Sequence, residues 1–297
     1  IADLTGIEYC SDLTQLTLGR NQISDISTLS SLTNLIFLNL SRNQVSDISS
    51  LSKLNKLSTL RLPDNQIRDI SALSNLNNLT ELQLYKNQIS DISSLSNLTS
   101  LIYLSLGQNQ YNDISSLSKL TNLTNLYLGN KFLSDISPLS NLTNLVHFFL
   151  TDTQLSDISF LTDLDNLTQL GLSNNQIKDI SVLSRLTKLK LLYLSGNQII
   201  DITPLIGNAG LSGEINLKGN PLSNTTLFNQ IPILVARGIT VEHDDIPTDI
   251  IKMSDTSFEN SLRTAIGIPT DTLTPANISV LVDLDLTNAG VSDLDVE

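Results

Sequence analysis

Leucines and isoleucines recur along the chain with a fixed period of 22 residues. The segment 32–53 contains the pattern L-x-x-L-x-L-x-x-N-x-I/V-x-D-I, and lightly changed copies of it cover most of the chain. Residues two apart share one face of a β-strand, so Leu38 and Leu40 predict a short strand whose intervening side chains point the other way. A repeat of this length predicts a solenoid, in which each coil stacks on its neighbours and the strands form one parallel sheet.

An asparagine follows most of the predicted strands. A buried amide can satisfy the free backbone groups of a turn, and an unpaired buried polar group would cost about 1–3 kcal/mol. We therefore predict a structural row formed by Asn21, Asn43, Asn65, Asn87, Asn109, Asn175, Asn197 and Asn220. Two successive repeats interrupt this row, with Lys131 and Thr153 at the asparagine position.

An aspartate also recurs every 22 residues, within the motif S-D-I-S/T, as at Asp47. One explanation is that Ser and Asp cap the tight helical turn that follows. The other is metal binding, which needs several oxygens converging on one point. A row of identical positions does not supply that convergence, so the sequence favours capping and predicts no metal site.

The composition narrows the class of function. The 297 residues include 30 acidic and 17 basic ones, for a formal net charge of −13, which argues against binding to nucleic acid or anionic membranes. No apolar run is long enough to span a bilayer, so we expect no membrane insertion. Cys10 occupies the position of Leu32 one repeat later, and we expect it to be a small buried apolar residue rather than a nucleophile. His147 and His243 lie in no catalytic motif, so we expect neither an enzyme nor a cofactor.

The repeat also carries a family resemblance. The pattern resembles leucine-rich repeats of the 22-residue class, and SDISSLSNLTSL at 90–101 is similar to the wording of bacterial internalin-like proteins. The resemblance covers residues 1–245. It implies an α/β solenoid: a right-handed superhelix with a parallel concave sheet and short 3-10 or α turns on the convex side. It also implies an extracellular or cell-surface location, with concave residues that contact a host or cell-surface protein.

We predict four segments along the chain. Residues 1–222 form the leucine-rich-repeat array of about ten repeats, the first one partial, and 223–245 form a C-terminal cap with a helix and a last strand. Residues 246–254 are a linker, and 255–297 contain a helical cap followed by the start of another repeat.

The second cap has two explanations. The favoured one is that the chain is a fragment of a longer protein with tandem arrays. The other is that residues 255–297 of one molecule cover the first repeat of a neighbour, a head-to-tail self-association that would build rings or filaments.

Aromatic residues are few, at 4%, yet several occupy the solvent-facing positions of the predicted strands. The candidate binding residues are Phe37, Arg61, Tyr85, Tyr103, Tyr127, His147, Phe149 and Tyr193. Tyrosine and arginine are common anchors of protein interfaces. Scattered surface aromatics, on the other hand, need no explanation.

Within this set the strongest predicted patch is Tyr103, Tyr127, His147 and Phe149. It belongs to the repeats where the asparagine row is interrupted and Phe132 replaces Gln. Locally broken rules are more common at functional sites, although drift in a redundant repeat is the alternative.

Together these features predict a non-enzymatic recognition module that binds a protein, or a glycan, through the concave face. The module would be part of a larger secreted or surface-exposed bacterial protein. A structural spacer or scaffold without its own ligand is the alternative. An intracellular scaffold similar to phosphatase-regulating repeat proteins is a third possibility.

Overall fold

The structure is a computed structural model that describes residues 1–129, 133, 135–223, 225–244, 256–267, 278 and 281. Eleven short strands form one parallel sheet in which each strand pairs with its neighbours in chain order. The strands are β1 (Gln15–Thr17), β2 (Phe37–Asn39), β3 (Thr59–Arg61), β4 (Glu81–Gln83), β5 (Tyr103–Ser105), β6 (Asn125–Leu128), β7 (His147–Leu150), β8 (Gln169–Gly171), β9 (Leu191–Tyr193), β10 (Glu214–Asn216) and β11 (Thr240–Glu242). The predicted leucine-rich-repeat solenoid is confirmed.

Short helices return the chain from one strand to the next. The 3-10 helices are Ile7–Tyr9, Ser27–Ser31, Ser49–Lys53, Ser71–Leu73, Ser93–Leu95, Ser115–Lys119, Ser137–Asn141, Ser159–Asp163 and Ser181–Ser184. The later helices are α1 (Thr203–Gly207), a π-helical turn (Thr226–Gln230) that continues into α2 (Ile231–Ala236), and α3 (Thr256–Ile266). In the part of the chain that the structure describes, none of the helices has the length and apolar character needed to cross a bilayer.

The register explains why the leucines form one continuous core. Leu16 pairs with Leu38 and Leu38 with Leu60, so equivalent residues of successive coils lie side by side. The inward leucines of the middle coils, such as Leu38 and Leu40, are fully buried and belong to one hydrophobic cluster. Fully burying such a side chain contributes about 1.5–3 kcal/mol, so stacking of coils is the main source of stability.

Tyr111 is an aromatic member of this core. It stands where the preceding repeat has Ile89, and its side chain is fully buried. Burial raises the pKa of Tyr111, and a hydrogen bond with the Gly129 backbone acts in the opposite direction.

The asparagines connect neighbouring coils. Nδ2 of Asn109 donates to the carbonyl oxygens of Leu84 (3.0 Å) and Leu106 (2.8 Å), while Oδ1 accepts from the backbone N–H of Ile89 (3.0 Å). Each of the eight predicted asparagines accepts one bond from a main-chain nitrogen 20 or 21 residues earlier and donates to the carbonyl three residues before it.

Thr153 stands at the asparagine position of one coil and bonds directly to the asparagine of the next coil. Its side chain is buried, and both its backbone N–H and its hydroxyl donate to Oδ1 of Asn175, at 3.1 and 2.7 Å. Asp152 and Gln154 on either side both have positive φ. The other interruption, at Lys131 with the neighbouring Phe132, lies outside the described residues.

The aspartate of each S-D-I motif accepts a hydrogen bond from the first residue of the return helix, and it stands just before the N-cap, which is the isoleucine. Oδ1 of Asp47 accepts the backbone N–H of Ser49, the first residue of its 3-10 helix, at 2.8 Å. The hydrogen bonds from Ser49 lower the pKa of Asp47. Equivalent bonds recur at Asp25, Asp69, Asp91, Asp113, Asp135, Asp157, Asp179 and Asp201.

The prediction for Cys10 was wrong, because this residue is exposed. Cys10 ends the short helix Ile7–Tyr9 on the first coil, whose strand β1 has β2 as its one neighbour in the sheet that the structure describes. Its counterpart Leu32 has coils on both sides and is fully buried.

The last coils depart from the repeat. Ser223 Oγ accepts the backbone N–H of Thr226 at 3.1 Å, and β11 adds the last strand of the sheet. Arg237, just after α2, donates to the carbonyls of Ile206 (3.1 Å) and Asn208.

Helix α3 lies within the segment 255–297, for which we predict a helical cap, and is followed by Gly267 with φ +74. The linker at 246–254 and most of the repeat-like stretch at the end of the chain lie outside the described residues. The division into array, cap, linker and second cap stays a prediction.

Candidate functional site

The solvent side of the sheet consists of the first and third residues of each strand, and we call it the sheet face. The second residue of each strand points into the core. Through the strand register, the first residues of β2, β5 and β7 place Phe37, Tyr103 and His147 in one line across the sheet. The third residues place Tyr127 beside Phe149, with Gly171 between Phe149 and Tyr193.

Four aromatic rings on this face touch in sequence, and we call them the aromatic row: Tyr103, Tyr127, Phe149 and Tyr193. The ring centroids of Tyr103 and Tyr127 are 5.2 Å apart, and those of Tyr127 and Phe149 are also 5.2 Å apart, with planes only 15° from parallel. Phe149 and Tyr193 follow at 6.1 Å. The row is therefore a continuous contact surface that spans five strands.

Gly171 makes the far end of the row possible. Phe149 and Tyr193 are two coils apart, and a Cβ atom added at Gly171 would overlap the Phe149 ring. The missing side chain lets this ring lie over β8 and reach toward Tyr193.

A depression of about 550 Å³ adjoins the aromatic row, and we call it the glycine trough. Gly107 and Gly129, at the same position of two successive coils, are part of its lining. Tyr85, which is 40% exposed, stands at one end, and Thr151 and Asp152 stand at the other.

A second cluster on the sheet face lies nearer the first coils and consists of Phe37, Arg61 and Glu81; we call it the polar cluster after its ion pair. Arg61 donates to Glu81 through Nε at 2.7 Å, and its guanidinium lies 5.3 Å from the Phe37 ring centre. The hydrogen bond to Glu81 raises the pKa of Arg61. Burial raises the pKa of Tyr103, which adjoins Glu81 in the register.

The structure thus divides the predicted binding residues into groups. Tyr103, Tyr127, Phe149 and Tyr193 form the aromatic row, Tyr85 borders the glycine trough, and Phe37 and Arg61 belong to the polar cluster. His147 stands two residues before Phe149 on β7, with Nδ1 2.6 Å from Nδ2 of Asn125. Their role in binding stays a prediction.

Sequence reasoning missed the three glycines that shape this face. The signal was present, because Gly107 and Gly129 are 22 residues apart at a position that holds Ser41, Ser173 and Ser195 in other coils. Among the described residues, no group of three or more His, Cys, Asp or Glu side chains is arranged to hold a metal ion.

Comparison with known proteins agrees with the geometry. A family model that describes two copies of the leucine-rich repeat matches residues 33–75, 77–120, 121–166 and 165–207, which together are more than half of the chain. The chain belongs to the leucine-rich-repeat family and is internalin-like. The comparison with curated proteins gives no match.

The chain is similar to two internalins of Listeria monocytogenes whose structures have been solved. Internalin F is 32% identical, with a TM-score of 0.62 over 82% of this chain and 86% of that one. Internalin C2 is 43% identical, with a TM-score of 0.57 over 58% of this chain and 76% of that one. The plant peptide hormone receptor RGFR1, solved in complex with RGF2, is 25% identical, with a TM-score of 0.60 over 72% of this chain and 37% of that one.

Proposed function

We propose that this leucine-rich-repeat chain is a non-enzymatic recognition module that binds a protein partner through the sheet face. We place it in a secreted or surface-exposed bacterial protein, with a cell-surface protein as the partner class. The likeness to two internalins supports the setting, and the complex of RGFR1 with RGF2 supports the use of this fold for holding a ligand.

The aromatic row is the observation that carries the proposal. Its rings stand on the solvent side of the sheet, where the core does not need them, because the inward positions of these strands are already filled by Leu104, Leu126, Phe148 and Leu192. Aromatic side chains are frequent anchors of protein interfaces. Since the rings already hold one another at 5.2 Å, little side-chain freedom is left to lose when a partner binds.

The packing of the rings favours a protein over a glycan. Sugars stack on exposed ring faces, whereas Tyr127 and Phe149 turn their faces toward each other. Their edges and the neighbouring glycine trough suit the irregular side chains of a protein surface. The competing function is a structural spacer, in which the row would have no ligand.

A capture experiment separates these functions. The wild-type chain, the variant Tyr127→Ala/Phe149→Ala and the control Tyr9→Ala would be immobilised and exposed to cell-surface proteins, and bound proteins would be quantified by mass spectrometry. Tyr9 is 85% exposed and lies outside the sheet face, so its replacement tests for nonspecific effects of losing a surface ring.

We expect a protein that binds the wild type and the control but is lost with the double variant. Circular dichroism would verify that all three chains are folded. An identical set of bound proteins for all three chains would refute the proposal and leave the spacer function.

A further inference from the structure

We propose that the glycine trough receives a basic side chain, arginine or lysine, from the protein partner. The stem of that side chain would lie against the tyrosine and phenylalanine rings, and its cationic head would meet Asp152. This inference rests on the proposed function and adds the chemistry of one contact.

The trough exists because two successive coils lack a side chain. A Cβ atom added at Gly107 would come within 3.3 Å of Cδ2 of Tyr85, and one added at Gly129 within 3.3 Å of Oγ1 of Thr151. Even a methyl group would therefore begin to fill the space. Between its two ends the trough crosses about three strand spacings, roughly 14 Å, which accommodates an extended lysine or arginine side chain.

The lining suits the stem of a long basic side chain. Tyr85, Tyr127 and Phe149 line the trough, and most of its exposed lining is apolar. Lysine and arginine bury their methylene stems along apolar surfaces while the charged head stays in contact with water or an acid.

Asp152 supplies the charge that selects a cation. It is exposed, it borders the trough, and in the described part of the chain its carboxylate has neither a hydrogen bond nor an ion pair. Asp64 occupies the same repeat position four coils earlier, but its carboxylate is 2.9 Å from Nζ of Lys86. The net charge of −13 also favours a basic partner surface.

Sparse NMR labelling tests the proposal directly. The chain contains 13 glycines, so a sample labelled with 15N-glycine gives a simple spectrum in which Gly107 and Gly129 report on the trough. The probes are Nα-acetyl-lysine amide and Nα-acetyl-norleucine amide, which share a four-carbon stem and differ in the charged head.

We expect the lysine amide to shift the Gly107 and Gly129 signals and the norleucine amide to bind about two- to fivefold more weakly, the range for a partly exposed ion pair. Added salt would weaken the lysine response. Equal responses to both amides would show an apolar site, and unchanged signals at both glycines would show no site. Either result would overturn the proposal.

Matched variants assign the contact to residues. Asp152→Asn keeps a residue type that tolerates positive φ, and it should reduce lysine binding by the same two- to fivefold, whereas Asp64→Asn should not. Gly129→Thr copies Thr151 of the next coil and should abolish the response, whereas Ser173→Thr should leave it intact. Unchanged lysine binding in Asp152→Asn or Gly129→Thr would overturn the proposal.

The capture assay separates this inference from the proposed function. Asp152→Asn is compared with Tyr127→Ala/Phe149→Ala in that assay. If Asp152→Asn retains the captured protein at wild-type affinity while the double variant loses it, the proposed contact with a basic side chain is refuted and the recognition function stands. If the double variant retains the protein, the recognition function itself fails.

Discussion

A single asparagine side chain holds two coils of this protein together. Asn109 joins the carbonyls of Leu84 and Leu106 and the N–H of Ile89 at 2.8–3.0 Å, in a site where little water can replace them. Removing the amide would leave the N–H of Ile89 and the carbonyl of Leu106 without this partner, whereas the carbonyl of Leu84 would keep its bond from Nδ2 of Asn87 at 3.0 Å.

Replacing Asn109 by alanine should therefore lower the free energy of unfolding by about 3 kcal/mol, the sum of such losses after partial relaxation. Asn122→Ala is the matched control, because Asn122 is exposed and donates one bond, to the carbonyl of Thr99 at 2.9 Å. The control should lose less than about 1 kcal/mol. Urea unfolding measures both, and equal losses would contradict the structural role of the row.

The structural role of residues that recur every 22 positions could be predicted from the sequence, whereas the role of the glycines on the sheet face could not. The asparagine row follows from its spacing and from the need to satisfy the backbone. Gly107, Gly129 and Gly171 matter through the rings that lie beside them, and the direction of a ring is not visible in the sequence. Cys10 was misassigned because the repeat template assumes a coil on both sides.

The aspartates before the return helices accept hydrogen bonds that favour their ionised form. The hydrogen bonds from Ser49 lower the pKa of Asp47 below its ordinary value of 3.8, while the charge of Asp69 on the next coil opposes the shift. A lowered pKa in the folded state means that stabilisation is fully present above about pH 5 and is lost as the pH falls through the lowered pKa.

We therefore expect the free energy of unfolding to fall between about pH 5 and pH 3, and to fall less in Asp47→Asn/Asp69→Asn/Asp91→Asn. The asparagine oxygen can still accept the bond but does not titrate. The control variant Asp12→Asn/Asp163→Asn/Asp165→Asn removes the same charge from residues outside this row. Urea unfolding at several pH values tests this, and an unaltered pH dependence in the first variant would contradict the capping role.

The end of the array depends on contacts that no repeat predicts. Asn208 stands where Leu186 lies one coil earlier, and it is fully buried, with Nδ2 donating to the carbonyls of Leu183 and Leu186. Arg237 then covers the carbonyls of Ile206 and Asn208 from a position about 30 residues later. A long-range contact made once leaves no periodic signal in the sequence.

Arg237→Ala should lower the free energy of unfolding by about 1–2 kcal/mol, since a hydrogen bond from a charged group contributes about 1.5–3 kcal/mol and the solvent exposure of Arg237 reduces that contribution. Arg185→Ala, at an exposed position, should change it by less than about 0.5 kcal/mol. Hydrogen exchange should rise in α2 and β11 and remain unchanged in the first coils, because each coil contacts only its neighbours. Uniform acceleration along the chain would be inconsistent with this local role.

At the scale of the whole molecule, the 22-residue repeat of leucines predicted the solenoid, and the solenoid in turn determines which residues form the sheet face. Once the leucines turn inward, the first and third residues of every strand must turn outward, and the aromatic residues among them line up across the sheet. The sequence indicated which rings share a face. It did not show that Tyr103, Tyr127, Phe149 and Tyr193 touch, because contact depends on ring rotation and on the gap at Gly171.

The affinity of the captured partner for wild type and for Tyr127→Ala is the measurement that tests the central claim most directly. An anchor at the middle of the aromatic row predicts a dissociation constant at least about tenfold higher for Tyr127→Ala, with Tyr9→Ala equal to wild type. Equal affinities for all three folded chains would contradict recognition through the sheet face.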